Sequence, residues 1–171
     1  MKKLLLLFAI VSAAALSGAQ DMTPPKELKK LDWMLGTWSG KMKWTMPGMG
    51  GDAEMKFTAT MEGMFQKQVS TMTMDGQETL EVSYLGYDPK KKVYTCWTFT
   101  NFAPTPRVDR ITMSGNKTVF ISQPWEVGMP GGPTTSRATL IRSGNKISMT
   151  LEFMMGKKWS KVASGSFSKG S

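Results

Sequence analysis

The sequence predicts an all-β protein: a single antiparallel β-barrel of eight to ten strands, preceded by one short helix. Three observations predict it. Apolar and polar residues alternate with a period of two through most of the chain. Turn-forming residues separate the alternating runs at short intervals. Only one stretch has helical spacing. Strands that are each dry on one side must close or stack to hide that side, and closure into one barrel also removes exposed edges.

The chain opens with Met1-Lys2-Lys3, an apolar run from Leu4 to Leu16 broken only by Ser12, and the small residues Ser17-Gly18-Ala19. This pattern reads as a cleaved secretory signal over 1–19, with the barrel occupying 20–171 and the product secreted or periplasmic. The run is shorter than the roughly 20 residues a spanning helix needs. After Thr23-Pro24-Pro25, apolar Leu28, Leu31 and Leu35 fall at three- and four-residue intervals, with Thr23 as N-cap and Gly36 as stop. A short helix across one barrel end is expected there.

Trp38, Gly40, Met42, Trp44 and Met46 share one strand face, and Ser39, Lys41, Lys43 and Thr45 the other. From Asp52 to Glu62 the alternation is strict: Ala53, Met55, Phe57, Ala59 and Met61 are dry and the residues between them wet. Ile147, Met149, Leu151 and Phe153 repeat it, and Val93, Thr95, Trp97, Phe99 and Trp159, Ala163, Phe167 are less regular versions. Turns are expected at Pro47–Asp52, Asp75-Gly76, Asp88-Pro89, Ser114-Gly115-Asn116, Ser143-Gly144-Asn145 and Gly156. The irregular stretch from Gln123 to Thr134 reads as a crossover between hairpins, with a lid over the barrel mouth as the alternative.

Composition excludes several chemistries. The chain has 171 residues, room for one domain. It has no histidine, which removes Ser–His and Cys–His catalysis and imidazole-ligated zinc or haem. One cysteine, Cys96, excludes an intrachain disulfide and multi-cysteine metal clusters, and without a base it reads as a small apolar residue. Sixteen methionines raise thioether capture of copper. Met42 and Met46, however, lie about 13 Å apart along one face, and no metal site is expected. Glu54, Glu62, Glu81 and Glu152 alternate with apolar neighbours and should point to water. Asp88 should cap backbone amides in its turn. No catalytic residue and no cofactor is expected.

Leu31-Asp32-Trp33-Met34-Leu35-Gly36-Thr37-Trp38-Ser39-Gly40 resembles the opening motif of lipocalins and calycins, a short helix followed by Gly-x-Trp. Leu85-Gly86-Tyr87-Asp88-Pro89, with Tyr94 and Trp97 after it, resembles a narrower group: bacterial single-barrel proteins of unknown function, near the haem-binding nitrobindin-type barrels. The resemblance covers roughly Lys26 to Phe167 and implies a lipocalin-like barrel. Haem binding is not implied here, because the chain lacks the histidine that carries it. Lipocalins commonly pack a late arginine over the opening tryptophan, whereas the last arginine here is Arg142, and only Lys157, Lys158, Lys161 and Lys169 follow. Physically, Trp38 plugs the closed barrel end with a flat side chain and a donor nitrogen.

The expected inward face is soft and aromatic. It can be a filled core or a cavity for an apolar ligand. The expected role is non-catalytic binding of a hydrophobic or aromatic small molecule, lined by Trp44, Met55, Phe57, Tyr84, Trp97, Phe99, Met149 and Trp159. The alternative is a filled barrel serving as a structural or interaction protein of the cell envelope. The net charge of +9 gathers at Lys26/Lys29/Lys30, Lys41/Lys43, Lys90-Lys91-Lys92 and Lys157/Lys158/Lys161. These suit weak contact with an anionic membrane surface. No nucleic-acid recognition motif is present. In Arg107-Val108-Asp109-Arg110 a surface ion pair is expected, with an anionic ligand head group at a mouth as the alternative.

Overall fold

The alternation that begins at Gly36 becomes the first of ten strands in the computed structural model, which describes residues 23–46, 49–127 and 132–170. A 3-10 helix over Lys26–Met34 precedes β1 (Gly36–Met46), β2 (Met49–Glu62), β3 (Phe65–Met74), β4 (Gln77–Asp88), β5 (Val93–Thr100), β6 (Arg107–Ser114), β7 (Lys117–Ser122), β8 (Ser136–Ser143), β9 (Lys146–Met155) and β10 (Lys158–Lys169). Each strand pairs antiparallel with its sequence neighbours, and β1 also pairs with β10, so the sheet closes into a barrel. The expected leader over 1–19 lies outside the described residues.

Closure leaves one freedom, the choice of inward face, and β1 makes it. Trp38, Met42 and Met46 are buried. The register Trp38↔Phe57 and Met42↔Ala53 carries that choice to β2, and Leu140↔Met149 and Met149↔Gly165 carry it through the last strands. Two inward glycines let β1 and β10 approach. A Cβ on Gly40 would strike the Ser166 carbonyl, and one on Gly165 the Lys41 carbonyl.

The helix closes one barrel end. Leu28, Leu31 and Met34 are its buried residues, spaced by three as a three-residue turn requires. Its capping position is Pro25, not the expected Thr23. Trp38 is 1% exposed, donates its Nε1 to the Met34 carbonyl (2.9 Å), and stacks on Phe57 with centroids 6.0 Å apart. Gln66 ties the helix down from β3 by donating to the Leu31 carbonyl (3.0 Å). Over the Trp38 ring lies Lys169, whose Nζ is 5.5 Å from the ring centroid.

Three expectations about faces are corrected. On β4 and β5 the inward residues include Ser83, Leu85, Cys96 and Thr98, all buried, so Tyr84, Trp97 and Phe99 point outward. Trp97 is 36% and Phe99 51% exposed. Periodicity separates two faces without saying which is inside, and here the outer face is the more aromatic one. Trp159 also faces outward. A register shift between Lys161 and Ala163 inserts one extra residue, so both Val162 and Ala163 are buried and the phase before them is reversed. Glu81 does not face water: it lies on the inward set and meets Arg107 at 3.5 Å.

On the outer wall Arg137 Nε and Nη2 donate to the two oxygens of Glu152 (2.6 and 2.7 Å), and the guanidinium lies 4.4 Å from the Trp159 ring centroid. The bonded Arg137 holds the Glu152 carboxyl below its usual range.

Trp38→Ala should cost about 3–5 kcal/mol of stability, read from denaturant midpoints, because it empties the plug and orphans the Met34 carbonyl. Glu152→Gln should cost about 1 kcal/mol at neutral pH. A depressed native pKa gives stability that is present above the unfolded pKa, about 4.3, and is lost as pH falls through the native one. Thermal melts from about pH 7 to pH 2 should therefore show the gap between Glu152→Gln and the parent narrowing on the acid side.

Candidate functional site

The site grows from a break in the wall. Strand β5 pairs with β6 only from Tyr94↔Ile111 to Thr98↔Arg107, whereas β6 continues to Ser114, with β7 on its other side. Met113 and Ser114 thus have no strand beside them on the β5 side. The helix passes there, and between them opens a pocket of about 680 Å³. That size suits a small organic molecule.

Its inner surface is formed by Tyr94, Ile111, Met113 and Thr118 from the lumen side, with the half-buried Trp33 opposite. Tyr94 is held by donating its hydroxyl to the Glu27 carbonyl (3.0 Å) and by the Tyr87 ring, centroids 4.6 Å apart. The rim is cationic: Lys29 and Lys30 on the helix, Lys92 before β5, Arg110 on β6 and Arg142 at the end of β8. Arg142 is placed by the β6–β7 turn. Its N–H donates to the Asn116 carbonyl, Asn116 Nδ2 donates to the Arg142 carbonyl (3.0 Å each), and its guanidinium lies 5.6 Å from the Trp33 ring centroid. Lys92 is placed by the β4–β5 turn. As expected, Asp88 caps that turn, accepting from the Lys90 and Lys91 amides at 2.9 and 3.0 Å, and the Lys91 amide bond chiefly holds its carboxyl below the usual range. Lys92 then takes φ +56°, a left-handed conformation that disfavours a side chain.

The far end of the lumen carries a buried ionic network. Arg107 Nε donates to Asp109 Oδ2 (3.0 Å), its Nη1 faces Glu81, and its Nη2 donates to Thr98 Oγ1 (3.4 Å). Ser83 and Thr98 share a hydroxyl bond of 2.8 Å. The expected surface ion pair is therefore internal: Asp109 is 3% exposed. Burial pushes its carboxyl up by more than Arg107 pulls it down. Over Arg107 lies the ring of Trp125, centroid 5.2 Å away, from the β7–β8 connection. Trp125 exchanges backbone hydrogen bonds with Thr134 and donates Nε1 to Ser136 Oγ (3.3 Å). The crossover is thus folded onto this end at both of its described flanks. Burial, with the nearby Asp109 carboxylate adding to it, pushes the Cys96 thiol up to about 12.

The structure divides the eight expected ligand residues. Trp44, Met55, Phe57 and Met149 belong to the lumen, where Phe57 is locked between Trp38 and Phe167. Trp44 Nε1 is buried with no hydrogen-bond partner among the described residues. Tyr84, Trp97, Phe99 and Trp159 are on the outer wall, where Phe65 sits edge-on to both Tyr84 and Trp97 and covers Gly86. The two groups line no common cavity. The helix-end pocket draws instead on Lys29, Lys30, Lys92 and Arg110 from groups visible as basic clusters in the sequence. Arg142, Trp33 and Met113 joined them with no sequence signal.

Cys96 is 3% exposed, so a thiol reagent at neutral pH should leave the folded protein unlabelled and label one equivalent in denaturant; rapid labelling of the native state would contradict its buried placement.

No protein-family model matches the chain, and no curated protein sequence matches it. Among solved structures it is similar to Rv2717c from M. tuberculosis, with a TM-score of 0.65, 13% identity, and coverage of 87% of this chain and 100% of that one. The likeness is one of fold: both are barrels of this type.

Proposed function

We propose that the protein is a non-catalytic binding barrel for a small molecule with an aromatic or apolar body, and that the ligand sits in the helix-end pocket. The observation that carries this reading is the pocket itself: about 680 Å³, with Trp33, Tyr94 and Met113 available for apolar contact and the wall open beside β6. A closed barrel fits such a role, since it supplies a rigid frame and leaves binding to one end. The resemblance of Gly36-Thr37-Trp38 to the lipocalin opening motif supports the same reading, as does the secretory pattern of residues 1–19 for a protein that works outside the cytoplasm. Much of the lumen is occupied by its own side chains, so the ligand of this reading is held at the end of the barrel and not along its axis.

The exposed stripe of Phe65, Val69, Leu80, Trp97 and Phe99 favours a second reading, an interaction protein with a filled barrel.

The neutral dye N-phenyl-1-naphthylamine should bind with a change in tryptophan fluorescence, and Trp33→Ala should weaken it by about tenfold, the scale of one lost aromatic contact. Absence of dye binding, or binding indifferent to Trp33→Ala, would leave the second reading in place.

A further inference from the structure

We propose that the helix-end pocket is an oxyanion site: the aromatic ligand it takes carries a phosphate, sulfonate or carboxylate group, gripped by Arg110 and Arg142 and drawn in by Lys29, Lys30 and Lys92. The proposal rests on the binding reading above for the ligand's body and adds its charge.

The four arginines of the chain divide cleanly. Arg107 and Arg137 are each bonded to carboxylates, Asp109 with Glu81 and Glu152 respectively. Arg110 and Arg142 have no described carboxylate within 4.0 Å, and both line the pocket. The same holds for Lys29, Lys30 and Lys92, and no Asp or Glu is among the lining residues. Five like charges facing one concavity repel each other, and a concave wall focuses their field on whatever enters. An anion inside removes that repulsion and meets every cation at once.

The arginines are positioned, not merely present. Asn116 clamps the Arg142 backbone from both sides, and Trp33 backs the guanidinium, so its fork is held before a ligand arrives. Lys92 keeps a left-handed backbone where glycine would fit more easily, and such positions persist where the surroundings impose them. On the same side Met113 and Ser114 of β6 run past the end of β5. Charge and apolar surface thus line one cavity side by side, which lets it meet an anionic head and an aromatic body together.

The test compares 8-anilinonaphthalene-1-sulfonate with N-phenyl-1-naphthylamine, which share a ring framework and differ in one sulfonate. With the full-length protein at low salt the sulfonate should bind about tenfold tighter, and the advantage should shrink severely in about 0.5 M NaCl. Inorganic pyrophosphate should displace it at matched ionic strength. Arg110→Ala and Arg142→Gln, both at exposed positions and therefore harmless to the core, should each weaken the sulfonate about fivefold more than they weaken the neutral dye. Equal binding of the two dyes, or a preference that survives both substitutions, overturns the oxyanion site and leaves the binding reading standing. Pyrophosphate binding that depends on Arg142, with no binding of the neutral dye, upholds the oxyanion site and overturns the aromatic body. If neither dye nor pyrophosphate binds, both are overturned.

Discussion

The closed ring of backbone hydrogen bonds decides, at every position, which side chain faces the lumen. In an open sheet a register slip can be absorbed at an edge. In this barrel β1 pairs with β2 on one side and β10 on the other, so the inward set chosen by Trp38 and Met42 is imposed on all ten strands. The ring even overrules hydrophobicity: it turns Trp97 and Phe99 to the outside and Thr98 and Arg107 to the inside, because their neighbours' registers leave no other choice. The mismatch is met locally. Buried Thr98 finds Ser83 and Arg107, and the outward aromatics gather around Phe65.

The same parity explains how two arginines three residues apart do different work. Arg107 and Arg110 lie on opposite faces of β6, since an odd spacing crosses the sheet. Arg107 enters the lumen and must be paired there, because an unpaired buried guanidinium is far costlier than the pair that replaces it. Arg110 remains at the rim, where water makes an unpartnered charge tolerable. Placing the ionic network at one end and the unpaired cations at the other gives the two ends of a single lumen opposite characters.

The fold class, the helix across one end and the plugging role of Trp38 were legible in the sequence because each depends on local pattern: strict alternation in β1, β2 and β9, three-residue spacing in Leu28 and Leu31, and Gly36 before a tryptophan. The capping role of Asp88 was legible for the same reason. The faces of β4 and β5 were not, since alternation defines two sides and only the ring labels them. Trp159 was misplaced by a one-residue bulge that no periodic pattern announces. The pocket was least legible of all. Lys29, Lys92, Arg110 and Arg142 meet only after the chain has gone most of the way around the barrel, and the gap that admits them is an offset between β5 and β6, two strands of eight residues that pair over only five.

The pairing of β1 with β10 also sets a condition on biosynthesis. Trp38 lies opposite Lys169, so the first strand made waits for the last one, and until β10 arrives the growing sheet has two bare borders. Nearly the whole polypeptide must therefore be kept from sticking to other chains before it can shut. That burden falls on its lysine-studded exterior and on any chaperone that receives it, and a chain stopped before the twelve residues of β10 is left as an open ribbon.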